Sequence, residues 1–244
     1  MATHESLVVD LRAQVDRLLS RVDRLQLMFA HGRNTRSDDE PQKDFVSREL
    51  RAGAVVGTMA ELEALTTSAI QLTHEDLNSH GLVLRDLTPS IRQLAVHDTF
   101  ESLRSLNDHS KLWEKRLYAT TLESCAQSVA LPVVIRSGPQ PPLDGRTLTP
   151  KHFYRLWQIY NLPATPFPVL AWEGSLQKLA LLRNDVAHGN LPIDEIFSQP
   201  GRSLASIQGY MNDIGLFAIN FTDAWEQYLT SHGYLASHTQ TGSS

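Results

Sequence analysis

The most regular pattern in the chain lies at its start. Val8, Leu11, Val15, Leu18, Val22, Leu25 and Phe29 step alternately by three and four residues, with Asp, Arg and Gln between them. That spacing predicts a helix over residues 6–30 with a narrow apolar seam. Two readings of the seam stay open at this level. It packs on its own domain, or it makes a coiled-coil contact between two protomers. Residues 31–42 are polar with Gly and Pro and predict a loop. A second long helix follows over 43–72, rich in Ala, Val and Leu. Gly53 and Gly57 sit four apart on one face, a spacing that lets another helix come close. Glu61 and Glu63 are two apart and face different directions.

Further along, the pattern weakens and then recovers. Residues 73–98 are mixed and punctuated by Asn78–Gly81 and Pro89, which predicts a loop and a short helix over 89–97. Residues 99–131 predict continued helix in two segments that meet near Asn107–His109. Residues 132–150 are Pro-rich, with an extended or strand-like Val133–Ile135, and read as an excursion from the helical pattern. A short helix over 150–161 carries Phe153, Leu156, Trp157 and Tyr160 on one side, a stripe that reads as core. A Pro-rich turn at 162–169 leads to a helix over about 171–188, and a loop over 191–201 follows. The last long helix, 202–230, is marked by Ile207, Tyr210, Met211, Ile214, Phe217, Phe221, Trp225 and Tyr228. Residues 231–244 are polar and predict a frayed tail. The expected organisation is an N-terminal helix and loop (1–42), a helical domain (43–231) and a flexible tail (232–244).

The helix ending near residue 188 carries the most specific chemistry. It reads Leu179-Ala-Leu-Leu-Arg-Asn-Asp-Val-Ala-His-Gly-Asn190, with Pro192 beyond. Gly189 supplies a left-handed cap and Pro192 blocks continuation. Arg183 therefore lies in the last full turn and His188 at the helix end. Five residues at about 100° each put the two side chains roughly 140° apart on an ideal helix. They converge only if the helix unwinds, or they act across an interface with a second copy. His exchanges protons near neutral pH, and a cation stabilises charge on a reacting phosphate. Asn184 and Asp185 lie between them and can pair with Arg183 or bind the exit loop. The plain alternative is structural: Arg183 pairs with Asp185 or Glu173, and His188 caps the helix.

The run R-N-D-x-A-H-G at a helix end resembles the HEPN superfamily (higher eukaryotes and prokaryotes nucleotide-binding domains). It looks most like the bacterial branch linked to RiboL-PSP proteins. A second similarity lies upstream, in the apolar run from Arg48 to Leu65 that closes on Glu61-Leu62-Glu63-Ala64. Together they cover roughly residues 45–230. The resemblance implies an all-α, HEPN-like bundle and a metal-independent endoribonuclease whose composite site forms in a homodimer. It implies His188 as acid and base, Arg183 on the phosphate, and Asn184 and Asp185 as positioning groups. Glu63 falls at the family-like position and would orient a basic residue. The partners implied are RNA and an antitoxin or defence-system protein, in a toxin or phage-defence setting. The alternative within the same family is a non-catalytic module that binds nucleotide, RNA or a partner protein.

Composition adjusts this picture in three places. The net charge of −5 lacks the basic surface usual for bulk nucleic-acid binding, so RNA would need a local basic cleft. Lys111, Lys115 and Arg116 form a small basic patch, and Arg136 and Arg146 are candidate phosphate contacts. The single cysteine, Cys125, excludes a disulfide framework and any cysteine-based zinc site, which fits the cytoplasm. His74, His80 and His97 lack the spacing that metal ligation favours on a helix, so no metal is expected. No apolar run is long enough to span a membrane, and no glycine-rich phosphate loop predicts a cofactor.

Overall fold

The computed structural model describes residues 4–34, 40–102, 109–134, 139–189 and 191–236, of which 30–34, 40–46 and 109–110 are described by their backbone alone. The protein is all-α. Its elements are α1 (Glu5–Asn34), α2 (Glu40–Ser79), α3 (Pro89–Ala95), α4 (His97–Glu101), α5 (His109–Thr120), α6 (Pro150–Tyr160), α7 (Leu170–His188), α8 (Ile193–Ser198) and α9 (Leu204–Thr230). One 3₁₀ turn, Leu84–Asp86, precedes α3. Among the described residues there is no strand, only two isolated bridges, Val83 to Ser128 and Leu87 to Leu235. No described helix is long and apolar enough to cross a membrane.

Of the four long helices, α2 and α9 pack on each other and each on both α1 and α7. The short α8 lies on α2 and α7, and α6 lies on α7 and, through its aromatic side chains, on α9. The heptad seam of α1 settles between its two readings. Leu11, Val15, Leu18, Val22 and Phe29 are buried against α2 and α9, with Val8 and Leu25 partly buried beside them. The seam is part of the chain's own core and is not free to pair with a second copy. Arg12 of α1 bonds Asp223 at 2.7 Å and Glu226 at 2.5 Å on α9. Gly57 leaves room for the Arg21 guanidinium, which crosses α2 to reach Glu61 at 2.9 Å. A Cβ at position 57 would lie 2.4 Å from Arg21 Nη2. Gly53 meets nothing within 4 Å, so only one of the pair serves a close approach.

The core is an aromatic stack between α6 and α9. Phe153, Tyr160, Phe217, Phe221, Trp225 and Tyr228 are buried, with Phe153–Phe217 and Tyr160–Trp225 centroids each 4.7 Å apart. Edge and tilted contacts at this range add attraction beyond the area buried. The expected stripe on α6 is therefore core.

The expected loop over 31–42 is shorter than read, since α1 runs on to Asn34 and α2 already starts at Glu40. The structure departs from the sequence pattern in four further places. First, α2 continues to Ser79. Thr73 accepts a hydrogen bond from Trp225 Nε1 at 2.8 Å, and the side chain of His74 and that of Leu77 are buried, so the inward face runs one and a half turns further. Second, residues 121–131 are not helical. They turn after α5 and run extended, because Leu84 N bonds Gln127 O at 2.9 Å and Val129 N bonds Leu82 O at 2.9 Å. Third, the expected loop at 191–201 contains α8, which buries Ile196 and Phe197. Fourth, residues 231–236 are not frayed. Ala236 N bonds Asp86 O at 2.8 Å, Thr88 N bonds Tyr234 O at 2.8 Å, and Tyr234 is buried.

Candidate functional site

α7 buries Ser175, Leu176, Leu179, Ala180 and Leu182 against α2 and α9. Its spacing leaves the far side of its last turns to solvent. The helix stays regular through His188 and stops at Gly189, whose φ of 60° is left-handed and open to glycine at no steric cost. The unwinding that would draw Arg183 and His188 together within one chain is absent. The roughly 140° separation of an ideal helix therefore holds. Arg183 is half-buried and His188 exposed.

The residues between them are engaged. Asn184 Oδ1 accepts from Thr147 Oγ1 at 2.6 Å and from Arg183 Nη1 at 3.5 Å. The amide thus links the guanidinium to the end of the Pro-rich excursion. Asp185 pairs with Arg202 at 3.0 Å, and Arg202 also donates to the carbonyl of Ile196 at 3.1 Å. Asp185 therefore holds the exit loop, one of the two uses its position allowed.

A set of arginines that the motif does not reveal braces this end of α7. Arg51 donates to the Arg202 carbonyl at 3.0 Å and lies over the Phe197 ring at 5.0 Å. Arg48 pairs with Asp194 at 2.6 Å. Together they clamp α8 between the first half of α2 and the end of α7. Arg48 and Arg51 are three apart on α2, a visible spacing. Arg202 sits in a loop 17 positions after Asp185, and nothing local marks it.

The carboxylates suggested as partners for Arg183 are therefore used elsewhere. Asp185 is held by Arg202, and Glu173 accepts from Tyr154 at 3.1 Å. Among the described residues Arg183 has no ion-pair partner and His188 no hydrogen bond. Glu63 takes no part in this hydrogen-bonded group. It is half-buried on α2, its Oε1 has no hydrogen-bond partner, and no bond joins it to Arg183, Asn184, Asp185 or His188.

The secondary basic candidates divide. Lys111 is exposed, Lys115 donates to the Ser102 hydroxyl, and Arg116 lies over the Trp113 ring at 5.2 Å. Arg146 is exposed, and Arg136 lies outside the described residues. His74 is structural. Its Nδ1 meets the Pro132 carbonyl at 2.7 Å and its Nε2 the Tyr160 hydroxyl at 2.7 Å. Burial lowers its pKa to about 4. The same burial holds the Tyr160 hydroxyl well above the usual tyrosine range. No protein-family model, curated protein or solved structure matches the chain.

Proposed function

We propose that the chain is a metal-independent endoribonuclease of the HEPN type, completed by a second copy of itself. The observation that carries this reading is the state of Arg183 and His188. Both sit at one capped helix end, and neither is held by a carboxylate among the described residues, whereas Asp185 and Glu173 are taken by other partners. A cation and an imidazole left unpaired among the described residues suit a phosphate better than they suit a fold.

The chemistry assigns each group a task. A base removes the proton of the RNA 2′-hydroxyl, whose oxygen attacks the adjacent phosphorus. The bond from phosphorus to the 5′-oxygen breaks, and an acid protonates the leaving oxygen. The products are a 2′,3′-cyclic phosphate and a 5′-hydroxyl. In this reading one His188 acts as base and the His188 of a second copy acts as acid. Arg183 stabilises the charge on the phosphorus centre. Asn184, fixed by Thr147, orients Arg183. The angular separation of the two side chains on a regular helix favours a site shared between copies.

The test is RNA cleavage in excess chelator, with wild type beside His188→Ala and the product ends identified. Cleavage by wild type alone, leaving the cyclic phosphate or its hydrolysis product, is the expected result. Equal cleavage by both proteins removes His188 from the reaction. A second reading has one observation behind it. The net charge of −5 disfavours RNA as a partner and so favours the non-catalytic module of the same family in its protein-binding form. Absence of both RNA binding and cleavage in either sample selects that reading, and RNA binding without cleavage selects its nucleic-acid-binding form.

A further inference from the structure

Three side chains meet at the far end of α2. His4 precedes α1, and Asp76 and His80 lie one turn apart at the close of α2. His4 Nδ1 is 2.5 Å from Asp76 Oδ2, and His80 Nδ1 is 3.6 Å from the same oxygen. One donor atom from each of the three lies within 4.8 Å of the others. His4 is buried, while Asp76 and His80 keep a path to solvent. Behind them, Tyr234 OH is 3.2 Å from His4 Nε2 and 2.9 Å from His232 Nδ1.

We propose that His4, Asp76 and His80 form a binding site for a divalent transition-metal ion of the zinc class.

The donor set selects the ion. Two imidazoles and one carboxylate suit zinc, copper or nickel, whereas magnesium and calcium take oxygen donors. The spacing fits as well. Donors about 2.0–2.1 Å from a tetrahedral ion stand roughly 3.3–3.4 Å from one another. The observed 2.5 and 3.6 Å bracket that edge, and the remaining donor pair lies within 4.8 Å. Asp76 in the last turn of α2 and His80 just beyond its end turn to one side, His80 Nδ1 standing 3.6 Å from Asp76 Oδ2. The ion would replace the proton that His4 Nδ1 shares with Asp76, and His80 would give up its 2.7 Å bond to the Asp76 carbonyl. Tyr234 supplies the outer contact. A hydroxyl on His4 Nε2 fixes the ring and leaves Nδ1 for the ion, as outer partners of metal-bound imidazoles do. Three ligands leave a fourth position for water or for His232, whose ring centroid is 5.9 Å from that of His4.

The site would join the start of α1, the end of α2 and the segment after α9. It lies about 25 residues along α2 from Arg51, or roughly 38 Å at 1.5 Å per residue. It is therefore independent of the Arg183–His188 end and does not rest on the function proposed for it.

The experiment uses the full chain after chelation and removal of the chelator. Cobalt(II) is added and the visible spectrum read, and thermal midpoints are then measured with zinc, with magnesium and without metal. The expected result is one cobalt per chain with an intense tetrahedral-type band that zinc displaces, and a midpoint raised by zinc and not by magnesium. His80→Ala abolishes both effects, and Asp76→Asn does the same in a side chain of nearly equal volume. Tyr234→Phe keeps the three ligands and weakens binding about 10- to 100-fold. Absence of the cobalt band in wild type overturns the site. So does a zinc-induced shift of equal size in wild type, His80→Ala and Asp76→Asn.

Discussion

His74 and His188 place the same side chain in opposite surroundings. His74 is buried, and both ring nitrogens are occupied, one by a backbone carbonyl and one by the Tyr160 hydroxyl. Gln140 completes the pocket, donating to the same Pro132 carbonyl at 2.7 Å. His188 is exposed at the end of α7 and has no hydrogen-bond partner among the described residues. The difference shows what each can do. A satisfied imidazole in a dry pocket is fixed in its neutral form and holds structure. An exposed one at a helix end leaves both ring nitrogens open to whatever binds there.

The sharpest way to break this contrast is to remove each ring and ask what is lost. His188→Ala is expected to lower RNA cleavage by about 10²- to 10⁴-fold, the usual contribution of a positioned acid or base. Its unfolding free energy should stay within about 0.5 kcal/mol of wild type, as for surface changes generally. Cleavage assays beside urea unfolding check both halves. A stability loss that explained the activity loss would return His188 to a structural role.

His74 gives the opposite signature in pH. Its folded pKa of about 4 lies below the ordinary histidine value of 6.5, so the unfolded chain binds more protons between those two values. The stability it contributes is complete above about 6.5 and is lost as pH falls toward 4. A shift of this size corresponds to about 3 kcal/mol. Urea unfolding at pH 7 and pH 4.5 reads this loss. His74→Gln keeps a donor without the titration and should flatten the slope.

Smaller effects sharpen the boundary of the site. Arg202→Ala is expected to cost about 1–2 kcal/mol, because it leaves Asp185 and the Ile196 carbonyl without their shared donor. It should also loosen α8, read as faster amide exchange over residues 193–198. Thr147→Val removes one hydrogen bond to Asn184 and is expected to cost about 1 kcal/mol. If Asn184 orients Arg183, the same change lowers cleavage more than it lowers stability.

Much of this architecture is legible in the sequence because one-sided burial leaves a period. The seam of α1, the stripe of α6 and the inward face of α9 are all visible as spacings. So is the end of α7, where Gly189 marks the stop. The illegible parts were settled by partners distant in the chain. The last turns of α2 depend on Trp225 and Tyr160, 152 and 86 positions away. The extended course after α5 depends on Asn78, whose side chain bonds both Leu131 N at 2.7 Å and Leu131 O at 3.0 Å. At the motif, the positions of Arg183 and His188 could be read, but the partners of Asp185 and Asn184 could not. Glu63 was selected by resemblance alone and lies outside the hydrogen-bonded group. The Asp76–His80 spacing was visible, but His4 lies 72 positions away from Asp76, and no local pattern joins them.

The packing of α1 against α9 has a consequence during synthesis. The apolar seam of α1 leaves the ribosome well before α9, one of the two helices that cover it. From Asn34 to Leu204 the ribosome adds 170 residues, by subtraction of the two helix bounds. At about 5–20 residues per second this takes roughly 10–35 seconds. Throughout that interval α2 can shield only one side of the seam. The nascent chain therefore carries a half-covered row of Val and Leu until α9 emerges, an interval in which the seam is exposed to wrong apolar partners.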